Sequence, residues 1–107
     1  MNIADQISVV KKEVENFYEK NMSWCKLENL NENEKAHIIQ IGTSILCTKW
    51  KVGYPGGGFV QNFVDNNLMG ALGAADDTTI KGLQFFSRLV YNTGKPMVLC
   101  NIEPTLN

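Results

Sequence analysis

The sequence predicts an all-α domain, a compact bundle of about four helices with a C-terminal extended arm or short edge strand. Three observations carry that prediction. Apolar residues recur at three- and four-residue steps over long windows. Capping signatures open two of those windows, at Asn31 to Glu34 and at Asp76-Asp77-Thr78. Glycine and proline close them, at Gly53-Tyr54-Pro55 and at Gly94 and Pro96. With 107 residues, 44% of them hydrophobic, the chain reads as a single domain, 1–107.

A first helix is expected over about 3–20, where Ile3, Ile7, Val10, Val14 and Phe17 form one stripe among charged residues. Residues 22–30 are a connection that Trp24 and Leu27 dock onto the core. A second helix runs from Asn31 to about Trp50. Its stripe is Ala36, Ile39, Leu46 and Trp50, widened by Ile38, Ile41 and Ile45. A third is expected from Phe59 to Ala74, apolar along Phe59, Val60, Phe63, Val64, Leu68, Ala71 and Leu72. The fourth runs from Thr79 to Asn92. Met97-Val98-Leu99-Cys100 is apolar and β-compatible, hence the arm or edge strand.

The formal charge of −1 provides no basic field for a nucleic-acid polymer. Neither a signal-peptide pattern nor a membrane-length apolar run is present, so a soluble, cytoplasmic protein is expected. Cys25, Cys47 and Cys100 are odd in number and widely spaced, and read as reduced thiols. His37 is the only histidine, so a Cys/His metal site would have to recruit nearly every candidate ligand. No cofactor is expected. A Ser/His or Cys/His dyad would also depend on His37, and Gly94-Lys95 runs into proline rather than a phosphate loop. The chain reads as a non-enzyme.

The residues that point to binding surround Tyr54-Pro55-Gly56-Gly57-Gly58-Phe59. Gly56, Gly57 and Gly58 at a helix start could gather backbone N–H groups around an anion, or could merely make a tight connection. Tyr54 is a free aromatic beside them. Phe59 either stacks on a base or anchors the core. Asn62 and Asn66, one turn apart, carry amides that both donate and accept. Arg88, the only arginine, stands in a row with Lys81, Gln84 and Tyr91. Its planar fork suits phosphate, or an ion pair with Asp65, Asp76 or Asp77.

From Pro55 to Tyr91 the chain also carries a pattern: Pro55-Gly56, Phe59-Val60, Asn66-Asn67-Leu68-Met69-Gly70-Ala71-Leu72-Gly73 and Ala75-Asp76. In this it resembles a family of small phage and prophage proteins, and is similar to the phage sponges that sequester cyclic oligonucleotide signals of bacterial anti-phage (CBASS) immunity. It departs from the family pattern by an extra glycine in the loop, by Asn67 in place of aspartate and by Thr79 in place of asparagine. The resemblance implies a cyclic di- or trinucleotide ligand, bound without cleavage in the host cytosol. A near-symmetric ligand would suit a homodimer or higher homo-oligomer. The alternative is a phage protein that grips a host protein through Trp24, Trp50 and Tyr54 or through its tail, with no small ligand.

Overall fold

A computed structural model describes residues 1–100, whose regular structure is entirely helical. Helix α1 (Ile3–Asn21) opens where the Asn2 side chain accepts from the Asp5 N–H at 2.8 Å. Helix α2 (Glu32–Trp50) opens on the capping box that its sequence predicts: Asn31 caps the Glu34 N–H, and the Glu34 carboxylate accepts from the Asn31 N–H. It ends at Lys51, which takes the left-handed conformation at φ 60°. The intervening connection is seated by Tyr18, whose hydroxyl donates to the Leu27 carbonyl at 3.2 Å, and by burial of Cys25 and Leu27. Trp24 does not dock as expected; it is 72% exposed.

The expected third helix is two. Helix α3 (Gly58–Val64) stops at a corner where Asn66 adopts φ 62°, and α4 (Leu68–Ala74) restarts with Asn67 as its cap. Asparagine tolerates left-handed backbone better than other residues with a Cβ, which is why the turn falls there. The expected fourth helix also divides. Helix α5 (Asp77–Lys81) is capped by Asp76, which accepts from the Thr79 N–H at 2.7 Å, and α6 (Leu83–Asn92) follows after Gly82. Met97–Cys100 is neither strand nor extended arm but a helical turn, α7, started at Pro96 and anchored by buried Leu99. The remainder of the expected arm, 101–107, lies outside the described residues.

Helix α2 is the axis of the molecule and packs against α1, α3, α5 and α6. That explains its apolar residues on several sides: Ile38, Ile39, Ile45 and Leu46 are all buried. Three helices meet at Gly42, where a Cβ would stand 3.0 Å from Val14 on α1 and 3.2 Å from Leu89 on α6. On one side of this crossing Phe85 meets Phe17 and Tyr18 of α1. On the other Phe86 meets Phe59 and Phe63 of α3, with ring centroids 5.6–6.2 Å apart throughout. No described helix is long and apolar enough to cross a membrane.

Candidate functional site, a groove between the α3–α4 corner and α6

The corner at Asn66 and the outer side of α6 enclose a groove of about 430 Å3. Its floor is apolar, made by Phe63, Val64 and Val90, exposed Leu68 lies at its lip, and its polar groups are Lys49, Asn66, Ser87 and Tyr91. Contacts of the fold place three of these residues. Phe63 is fixed by stacking on Phe59 at 5.7 Å. Asn66 is fixed by its left-handed turn, with its N–H donating to the Phe63 carbonyl at 3.2 Å. Lys49 reaches across from the end of α2, its ammonium 3.4 Å from the Val90 carbonyl, a long contact that leaves its other donors available. Tyr91 stands 85% exposed at the rim.

Among the described residues no carboxylate lines this groove. A stacking surface, a cation, an amide and a hydroxyl over an apolar floor are what an aromatic ligand with an anionic group requires. The volume lies in the lower part of the ~300–1,000 Å3 range usual for small-molecule sites.

The residues singled out in the sequence do not converge here. Of them only Asn66 lines this groove. Tyr54 lines a separate groove between α1 and α2. Phe59 is 7% exposed and packs on Phe63 and Phe86, so it is the core anchor rather than a stacking surface. The Asn62 amide is engaged in local contacts: it donates to the Gly58 carbonyl at 2.8 Å and accepts from Asn67 at 2.9 Å.

The glycine loop is closely packed at Gly56, while Gly57 and Gly58 have room around them. The Gly56 N–H donates to the Thr48 hydroxyl at 2.9 Å, and a Cβ on Gly56 would meet Val60 at 2.6 Å. None of Gly56, Gly57 and Gly58 has positive φ; the glycine that does is Gly53, at 67°. Arg88 is half-buried and makes no salt bridge among the described residues. Its charge partly offsets the burial that pushes the Cys25 thiol up. Of the three aspartates expected as possible partners for it, Asp76 lies 3.0 Å from His37 Nε2, with the Thr79 hydroxyl at 3.3 Å from the same nitrogen.

Sequence reasoning leaves out Ser87 and keeps Lys49 and Tyr91 outside the candidate site, Tyr91 being named only in the row Lys81, Gln84, Arg88, Tyr91. Lys49 is brought in by the crossing of α2 and α6, which no local spacing encodes. Among the described residues there is no cluster of three or more His, Cys, Asp or Glu placed to hold a metal ion. No protein-family model matches this chain, and no curated protein or solved structure matches it.

Proposed function

We propose that this chain is a capture protein: it holds one nucleotide unit of a cyclic oligonucleotide signal in the α6 groove and does not cleave it. Such a protein would act as a sponge against bacterial anti-phage defence, like the family that Pro55 to Tyr91 resembles. The observation that carries the reading is the pairing of exposed Tyr91 with Lys49 over an apolar floor free of carboxylates. Tyr91 supplies a face for a base, Lys49 a charge for a phosphate, and Asn66 a donor and acceptor for a base edge. Capture needs affinity rather than chemistry: a nanomolar Kd corresponds to about −12 kcal/mol.

The test is calorimetric titration of the purified chain with cyclic di- and trinucleotides, with linear mononucleotides as controls, followed by recovery of the ligand. Binding of one cyclic class, with the ligand released intact, supports the reading, provided that Tyr91→Ala and Lys49→Ala each weaken it at least tenfold. A folded protein that binds none of them refutes it.

A second reading, capture of a host protein, is favoured by one observation. Leu68, Met69 and Leu72 of α4 are 58%, 81% and 38% exposed, and Leu68 also lines the groove. Nucleotide binding would raise Tm with no protein partner present; partner capture would not.

A further inference from the structure

A second groove, of about 780 Å3, lies between α1 and α2 and shares no residue with the α6 groove. It has two unlike ends. Towards the N-terminus of α1 it is apolar, walled by Ile7, Val52 and Tyr54. Ile3 continues that wall: a Cβ on Gly53 would lie 3.4 Å from Ile7 and 3.5 Å from Ile3. Ile3, Ile7 and Tyr54 are 40%, 37% and 71% exposed, a contiguous apolar surface at the lip. The other end carries Lys11, Glu15, Glu32 and Lys35. Lys35 is held by Glu19 at 3.1 Å, whereas Lys11, Glu15 and Glu32 make no salt bridge among the described residues.

The outward ridge of α1 has the same order as the groove beside it. Ile3, Ile7, Lys11 and Glu15 follow at four-residue steps, apolar first and charged after. We propose that a second copy of this chain covers the groove, with its α1 parallel to the first about a two-fold axis. In that arrangement Ile3 and Ile7 of each copy bury against Tyr54 of the other. Lys11 of each reaches the unpaired Glu15 and Glu32 of the other, and a two-fold makes every such contact twice. An antiparallel seat over the same ridge would instead set Ile3 and Ile7 of one copy against Glu15 and Lys11 of the other. The charge pattern therefore selects the parallel one.

Sedimentation equilibrium on the full chain tests this, with circular dichroism to confirm that each variant keeps its fold. The wild-type chain should form a concentration-dependent dimer, and Ile7→Lys should sediment as a monomer. Lys11→Glu alone and the double variant Glu15→Lys/Glu32→Lys alone should both be monomeric, since each sets like charges against one another. Their equimolar mixture should regain the dimer, because both sets of contacts are then attractive. Ile3→Cys, in a chain with Cys100→Ser, should form an intermolecular disulfide on mild oxidation. A wild-type chain that stays monomeric, a dimer indifferent to Ile7→Lys and Lys11→Glu, or a mixture that does not associate overturns the proposal. A dimer in which Ile3→Cys fails to cross-link overturns the parallel seat.

Discussion

The two halves of this chain reach helical structure by different means. Residues 1–50 form two long helices that need little beyond an asparagine cap and an apolar stripe. Residues 51–100 form five short ones, and a helix below about 12–15 residues is marginal by itself. Specific contacts hold the second half together. Asn62, Asn67 and Gly70 close the α3–α4 corner: Asn67 donates to Asn62 at 2.9 Å and accepts from the Gly70 N–H at 3.1 Å. Phe86 ties α6 to α3, and His37 and Glu34 reach from α2 to Asp76 and Lys81 of the α5 region. Periodicity makes the first half tolerant of change; reliance on single contacts makes the second brittle.

Substitutions can break or sharpen that contrast. The largest effect should come from Phe86→Ala, which removes a fully buried ring shared by α3 and α6. A loss of about 3–5 kcal/mol is expected from urea unfolding. A loss below about 1 kcal/mol would mean that the short helices are not held by this cluster.

Gly82→Ala acts at the junction where Gly82 caps both α5 and α6, so no helix-interior propensity is gained. The new Cβ would stand 2.5 Å from Ile38 and 2.9 Å from Phe86, and overpacking of this kind costs about 1–3 kcal/mol. The variant should therefore melt at a lower temperature than the wild type. An unchanged or higher Tm would mean that the junction is not closely packed.

Asp76→Ala removes the α5 cap and should cost about 1 kcal/mol at neutral pH. The Asp76 carboxyl is held below its ordinary value of 3.8, chiefly by the Thr79 N–H, then by the Thr79 hydroxyl, with His37 contributing. A carboxyl lowered in the folded state adds stability above its unfolded value, and that stability is lost as pH falls through the lowered one. Unfolding curves of wild type and variant should thus keep a constant separation down to about pH 5 and converge below about pH 4. A gap that persists at low pH would assign the loss to packing rather than to the carboxylate.

The smallest effect is expected at Gly57→Ala. Here φ is −76° and a Cβ would meet nothing within 4 Å, so the change should lie within about 0.5 kcal/mol. The glycine run looks like the most constrained stretch of the sequence, yet of its three members Gly56 is the one whose Cα is tightly enclosed.

The same contrast explains what can be read from the sequence. The capping box at Asn31 and the stripe from Ala36 to Trp50 are local signals, and α2 follows them closely. The breaks at Asn66 and Gly82 lie inside windows whose apolar spacing continues on both sides, so periodicity runs straight through them. What stops the helix at Asn66 is a left-handed residue followed by an asparagine cap, and asparagine is also tolerated within helices. Of the candidate ligand residues read from the sequence Asn66 alone belongs to the groove, because its other polar groups come from the end of α2 and from α6. Phe59 and Asn62 have the right chemistry for a ligand, but burial of one and internal hydrogen bonding of the other turn both to the fold.

The crossing at Gly42 has a consequence for how the helices depend on one another. Glycine contributes no side chain there, so the space is filled by Val14 from one side and by Leu89 and Phe85 from the other. α1 and α6 therefore meet across a position that belongs to neither. A change in the volume of Val14 alters the room left for Leu89, and the two should show a coupling energy of about 0.5–3 kcal/mol in a double-mutant cycle. Sequence drift in α1 would then be answered by compensating change in α6, while α2, lying between them, keeps its glycine.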